Sequence, residues 1–370
     1  MARAIAAIVL TMTGTPHFAT ANDHADASGL YVSPHGSDEG DGTRKAPFRT
    51  IPAASRAAGA GTTIHVAPGR YPGGFITTAS GTASAPITYV SDVPDGAKIV
   101  GAGTAETPNQ AGWENRGNNI IVAGFDIDGS SPDASGWAYG FYNAGSYVTF
   151  RANTVHDIMT DPHAFVRLTA GRNGGAGVMM DGYYHGTQGS VINNVIHTIG
   201  PSGWRSFLVH GIYQSETGSI ANNVVYDVVG AGIHLWHGAH HISIIHNTID
   251  GAAGSAGILV GSGDSGSSPT TGDYITVIGN IVTNSAAGIE EEGITGVHNK
   301  YIDNLLYNNM DIGIRLQNNL VARGTVIADP LFFDRAHRDY RVRDTSPAVG
   351  PTRTIGASGT ALRPRPKTGE

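Results

Sequence analysis

A chain of 370 residues with 52 glycines and 14% charged residues is long enough for one large domain and too glycine-rich for a helical one. Its net charge of -7, with lysine confined to Lys45, Lys98, Lys300 and Lys367, argues against a nucleic-acid partner, which asks for clustered basic residues. Cysteine is absent, so stability must come from a long buried core and backbone hydrogen bonds, without disulfides.

In chain order, Met1-Ala2-Arg3 precedes a short apolar run, Ala4 to Met12, with small-residue cleavage sites at Ala19-Thr20-Ala21 or Ala25-Asp26-Ala27. This predicts a secretory signal peptide over residues 1–27. The run falls short of the roughly 20 apolar residues a membrane helix requires, and no other stretch approaches that length. The expectation is therefore a secreted or periplasmic protein, with one domain over residues 28–350 and no membrane partner.

Next, Asp38 and Asp41 stand among glycine turns, where carboxylates suit either a calcium ion or an Asx-turn. The alanine-rich segment up to Ala60 predicts a short amphipathic helix, with Ile51, Ala54 and Ala58 on one face. Strand-like runs follow at Thr62–Val66, Phe75–Thr77, Pro86–Val90 and Lys98–Val100, then a segment at Asn119–Gly129 with Ile120, Val122 and Phe125 as core candidates. Three insertions come next. Ser130–Tyr147 carries Tyr139, Phe141 and Tyr142, rings suited to stacking on sugars or to covering a core; Met159–Gly175 carries Asp161-Pro162-His163 and Arg167; Tyr183–Ser190 carries Tyr184-His185.

From Val209 a short phrase returns: Gly211-Ile212, Gly232-Ile233, Gly257-Ile258, Gly288-Ile289 and Gly313-Ile314, at steps of 21, 25, 31 and 25 residues. A second phrase, Asn followed two residues later by an aliphatic, recurs at Asn153, Asn194, Asn223, Asn247, Asn280 and Asn304. Each coil thus holds an Asn-marked strand and a Gly-Ile strand. Period-two alternation turns the aliphatic residues inward, and successive Asn amides can join as a ladder. These phrases resemble the right-handed parallel β-helix superfamily of pectate-lyase-like proteins. The resemblance implies an all-β solenoid, capped at its open first coil by the short N-terminal helix, and polysaccharide as partner. Lyases of this superfamily often use calcium, so Ca2+ is the cofactor the resemblance allows.

Residues from successive coils stand about 4.8 Å apart on such a fold. One position past the aliphatic residue lie Met179, Tyr213, His234, Leu259, Glu290 and Arg315; three past lie Asp181, Ser215, Trp236, Gly261, Glu292 and Gln317. A bland face would be Ser, Thr and Asn, whereas this one offers acids, rings and an arginine. The residue before each Gly is Ala176, Ala231, Ala256, Ala287 or Ile312, but His210 before Gly211. Partial burial there would favour a neutral imidazole base. The coil His234, His237, His240, His241 also invites a zinc reading, but alternation sends His240 and His241 to opposite sides, so His234 and His237 are expected to line a groove.

Asp161-Pro162-His163 and His210-Gly211-Ile212, with Gly177–Asp181 and Ser190–Val195 between them, resemble elements of mannuronan C5-epimerases. That likeness implies acid/base work at His163 and carboxylate handling near Asp161; the family's Tyr-Gly is replaced by Met159-Thr160, and no lysine lies between Lys98 and Lys300. The related chemistry is β-elimination in an acidic, uronic-acid polysaccharide, with His210, His163 or His234 in proton transfer, Tyr213 as acid, and Arg205, Arg167 or Arg315 against the carboxylate. A hydrolase using Glu290, Glu292 and Asp181 is the first alternative, and a non-catalytic glycan-binding face with Trp236 the second. Asp329–Ala348 is expected to close the core at its C-terminal end, and residues 351–370 to be disordered. Oligomeric state is left open.

Overall fold

The computed structural model describes residues 29–102, 107–263, 271–311, 313–350 and 353–358. The expected signal peptide, Ile312 and the last residues of the tail lie outside them. Three parallel sheets of 10, 9 and 10 strands run the length of the molecule, and each coil gives one strand to each. One coil shows the path: Val209–Gln214 in the second sheet, Gly218–Ala221 in the first, Val224–Val228 in the third, and Ile233–Leu235 back in the second. This is the right-handed parallel β-helix expected from the repeats.

Register follows the repeated phrases. Val178, Ile212, Ile233, Ile258, Ile289 and Ile314 pair in succession down the second sheet. Phe150, Val191, Ile220, Ile244 and Val277 do so in the first, and Val155, Ile196, Val225, Ile249 and Val282 in the third. Each such side chain except the half-buried Ile314 is buried, contributing about 1.5–3 kcal/mol. The Asn ladder forms as expected. Nδ2 of Asn153, Asn194, Asn223, Asn247 and Asn280 donates to Oδ1 of the next Asn at 3.2, 2.9, 2.9, 2.9 and 2.9 Å. Just before it, Ala152, Asn193, Asn222, His246, Gly279 and Asp303 adopt left-handed backbone, which lets the chain turn the corner within a residue or two.

The expected capping helix is Ile51–Ala57, with Ile51, Ala53 and Ala54 buried against the first coils and Ala58 packed beside them. Thr50 caps it, accepting from Ala53 N at 3.2 Å. The Asp38 carboxylate accepts from Arg49 N, Thr50 N and Thr50 Oγ1, and Asp41 accepts from Thr43 N at 3.0 Å. Asp38 therefore ties the start of the capping helix to the first loop, and Asp41 serves a local turn.

Several segments differ from expectation. Within Ser130–Tyr147, Tyr139–Asn143 is a strand of the second sheet, so Phe141 is core while Tyr142 faces outward. Within Met159–Gly175, Pro162–Thr169 is a helix: Asp161 caps it by accepting from Ala164 N at 2.7 Å, and Pro162 starts it without needing an N–H. At the far end, Leu316, Leu320 and Ala322 pack against the core. Asp329–Ala348 does not seal it. That segment folds back along the outside of the third sheet, drawn by a buried carboxylate: Asp250 accepts from Tyr340 Oη at 2.8 Å and pairs with Arg335 at 2.9 Å. Part of the tail expected to be disordered instead packs on the same sheet, through strand pairing and apolar burial. Arg353–Thr354 pairs with Val349–Gly350, and Ile355 is buried against Ile281, Leu305 and Ala348.

Candidate active-site groove

The outward side of the second sheet carries a groove of about 1450 Å³. His210, Tyr213, His234, Trp236, Asp181, Arg205, Glu290, Glu292 and Arg315 all line it, as does His237. His163 and Arg167 do not: both are exposed on the Pro162–Thr169 helix, where Arg167 donates to Ser135 O at 3.0 Å. The resemblance of Asp161-Pro162-His163 to an epimerase element is thus a helix start, and it brings no side chain to the groove.

At the centre, His210 pairs across the sheet with Ala176 and is 2% exposed. Its Nε2 lies 2.7 Å from His234 Nδ1, and Ala231 N–H points at its Nδ1 at 3.4 Å. Burial pushes His210 well below the ordinary imidazole value, with His234 adding to it; burial, then His237, lowers His234 to about 3. Both rings are neutral at pH 7. Tyr213, one coil back from His234, stacks on it with ring centres 4.9 Å apart.

Beside this pair, Trp236 spreads over backbone that only glycine leaves open. A Cβ on Gly261 would lie 2.3 Å from its ring, and one on Gly263 2.6 Å. The indole also packs against Ala231, Ala256, Leu259 and Ala287, making a firm apolar shelf of the kind on which sugar rings stack. Beyond it Arg315 Nη2 reaches Glu290 Oε1 at 3.0 Å and Glu292 Oε1 at 3.6 Å. Glu290 is 5% exposed; burial raises its pKa, Arg315 opposes this, and Glu292 adds to it. Glu290 is therefore a buried, ion-paired carboxyl, and Arg315, expected to face a substrate carboxylate, already has protein partners.

On the other side, Asp181 is saturated. Tyr142 Oη donates to its Oδ2, while Ser215 Oγ and Tyr183 N donate to Oδ1 at 2.9 and 3.0 Å. Burial, reinforced by Asp181, pushes the Tyr142 phenol far up, and Tyr139 to about 12, so both stay protonated. Arg205 is exposed on the groove wall, and among the described residues no carboxylate pairs with it.

Sequence reasoning missed Glu216, which is 3% exposed and raised to about 8 by burial and then by Asp181. The signal was there, because alternation from Ile212 through Gln214 turns Glu216 inward. Among the described residues one other cluster, Asp128, His156 and Asp157, has metal-ligand spacing. His156 gives Nε2 to Asp126 at 2.8 Å and Nδ1 to Asp157 at 2.6 Å. Burial opposes its charge, but these carboxylates outweigh that and lift it to about 9, so the cluster is an ion network around an imidazolium.

Residues 34–102 match the family described as "Protein of unknown function (DUF1565)". The chain is also similar to "Uncharacterized protein YwoF" of Bacillus subtilis (strain 168), 34% identical over 149 residues, covering 38% of this chain and 31% of that protein's length. Three solved structures are similar in fold. A rhamnogalacturonan lyase has a TM-score of 0.56 at 14% identity, covering 86% of this chain and 93% of that one. Pectate lyase Pel9A has a TM-score of 0.55 at 15% identity, covering 90% and 94%. XylC in complex with xylose has a TM-score of 0.50 at 15% identity, covering 78% and 70%. At such identities the likeness is one of fold, that of the pectate-lyase-like right-handed parallel β-helix.

Proposed function

We propose that the chain is an exported, polysaccharide-active enzyme that lays its substrate along the groove and cleaves a uronic-acid-containing chain by β-elimination. The observation that carries this is the 2.7 Å contact between His210 and His234, two imidazoles that burial keeps neutral. A general base must be unprotonated at working pH, and this pair meets that need without lysine.

The contact of Ala231 N–H with His210 Nδ1 is long at 3.4 Å, and base duty at His234 requires that it be given up: His210 then carries its own proton on Nδ1, and the proton shared by the pair belongs to His234. With that proton on His234 Nδ1 and donated to His210 Nε2, the Nε2 lone pair of His234 serves the groove. It takes the C5 proton of a uronate. The C5–H electron pair becomes the C4–C5 double bond, the C4–O bond breaks, and the leaving oxygen takes a proton from Tyr213. Arg205 neutralises the sugar carboxylate as charge develops on it, and Trp236 holds a neighbouring ring.

Charge narrows the substrate. Asp181, Glu290, Glu292 and Asp311 line the groove against Arg205 and Arg315, and Arg315 is already paired. This favours a polymer in which uronates alternate with neutral sugars over one with a charge on every ring.

A hydrolytic reading keeps one specific support, the buried Glu290 with its raised pKa beside Glu292, as an acid paired with a carboxylate. One experiment separates the two. Purified protein is incubated with a panel of uronic-acid polysaccharides, and ultraviolet absorbance of unsaturated uronide is followed beside reducing ends. Absorbance lost in His234→Ala supports elimination. Reducing ends without absorbance, lost in Glu290→Gln, overturn it in favour of hydrolysis.

A further inference from the structure

Away from the groove floor, an excess of buried oxygen lies under the loop that follows Asp181. Gln214 and Glu216 continue the Val209–Gln214 strand inward and are both buried. Gln214 Oε1 and both Glu216 carboxylate oxygens receive no hydrogen bond. Nearby amides offer little: Asn143 Nδ2 donates to Gly145 O at 2.8 Å and opposes the rise of the Glu216 pKa only in part, while Gln214 Nε2 donates to Thr217 O at 3.2 Å and Gly189 O at 3.3 Å.

Backbone carbonyls stand beside these side-chain oxygens. A methyl group on Gly186 would sit 2.6 Å from Asp181 O, 3.1 Å from Glu216 Oε2 and 3.1 Å from Gly145 O. One on Gly189 would sit 2.2 Å from Glu216 Oε1. Oxygens from three chain segments thus crowd together beside Gly186, where a side chain would not fit.

Unpaired buried acceptors are costly, and an unpaired buried carboxylate more so. A proton on Glu216 would supply one donor against three unpaired side-chain oxygens, the two of Glu216 and Gln214 Oε1. A hard cation answers for all of them, since calcium takes 6–8 oxygens from carboxylates, side-chain amides and backbone carbonyls.

We propose that this cradle binds a divalent cation of calcium size, held by Glu216 and by the carbonyl oxygens of Asp181 and Gly145. The cation ties the groove wall to the solenoid. Asp181 turns its carbonyl to the cradle and its carboxylate to the groove, and the loop between Asp181 and Gly186 carries Tyr183 and Tyr184 along the groove.

The full chain is stripped with chelator and titrated with calcium chloride at constant ionic strength, reading thermal unfolding and, separately, terbium luminescence excited through the neighbouring tyrosines. Calcium is expected to raise the melting temperature saturably and to displace terbium. Glu216→Gln is expected to lose both responses while matching or exceeding the stripped wild type in stability, because its amide brings donors to the acceptors. Gly186→Ala fills the cradle without removing a charge and is expected to lose the calcium response too; it carries the test if Glu216→Gln fails to fold. Glu290→Gln is expected to keep the response, which separates the cradle from the groove carboxylates. A wild type indifferent to calcium and terbium overturns the proposal, as does a calcium shift that survives both Glu216→Gln and Gly186→Ala. Neither outcome touches the elimination reading, which rests on His210 and His234.

Discussion

His234 Nδ1 meets His210 Nε2 at 2.7 Å because the residues before the glycine on the coils either side of His210 are the small Ala176 and Ala231. Only small neighbours flank it, so its ring can lie beneath His234 and orient it. If His234 is the base and His210 its orienting partner, the two substitutions should differ. His234→Ala is expected to lower kcat by about 10²–10⁴-fold with little change in KM, and His210→Ala to lower it less. Steady-state kinetics on a substrate that gives the unsaturated product checks this. Wild-type kcat in both variants would place the base elsewhere.

The depressed imidazoles also set an acid response. In the unfolded chain they titrate near about 6.5, whereas folded His234 titrates at about 3 and His210 lies well below its ordinary value. Across that window the unfolded state binds more protons, so stability rises with pH and is lost as pH falls from about 6.5 towards 3. Denaturant midpoints measured from neutral to acid pH should fall, with a shallower slope in His234→Gln. The base stays unprotonated over the same window, so kcat should show no acid limb at the free-imidazole value.

His156 predicts the opposite sign. Asp126 and Asp157 raise it to about 9 against its burial, so its contribution is complete below about 6.5 and disappears as pH rises through 9. Unfolding measured on the alkaline side should show this loss, and His156→Gln should flatten it. An unchanged alkaline profile in that variant would mean that the imidazolium stabilises nothing.

The Asn ladder makes a stability prediction independent of the groove. Asn223 Nδ2 donates to Asn247 Oδ1 and Val191 O, and its Oδ1 accepts from Asn194 N and Asn194 Nδ2, all at 2.8–2.9 Å. Asn223→Leu strands these partners in the core, at a cost of about 1–3 kcal/mol for each group left unpaired. Chemical denaturation should therefore show a loss larger than that for an outward substitution on a neighbouring strand, such as Ser243→Ala on Ile242–Ile245.

Much of this was legible because a solenoid turns sequence spacing directly into contact. Tyr213, His234 and Glu290 could be placed on one face from their offset to Ile212, Ile233 and Ile289, and the register agrees. Glu216 obeyed the same alternation, but its burial depends on the Gly182–Gly189 loop folding over it, which no repeat encodes. Asp161-Pro162 carried the ordinary signature of a helix start, and a likeness to a catalytic element masked it. The union of Tyr340 with Asp250 spans 90 residues and joins a repeat to a non-repeat, so spacing was silent about it.

Trp236 gives the last test, since its position depends on residues that never touch substrate. The ring lies over Gly261, where a Cβ would approach it to 2.3 Å. Gly261 lies within the Ala256–Ser262 strand and pairs with Glu292 on the next coil, so the indole yields before the strand in Gly261→Ala. If Trp236 is a sugar shelf, Trp236→Ala should raise KM by about tenfold or more, in line with the 1–3 kcal/mol that a small change in an apolar contact costs in recognition, and leave kcat closer to wild type. Gly261→Ala should shift KM in the same direction by tilting the ring, with no carbohydrate contact removed. Equal KM in the wild type and both variants, measured with intact folding by circular dichroism, would take Trp236 out of the binding surface and leave it as packing for Leu259 and its alanine neighbours.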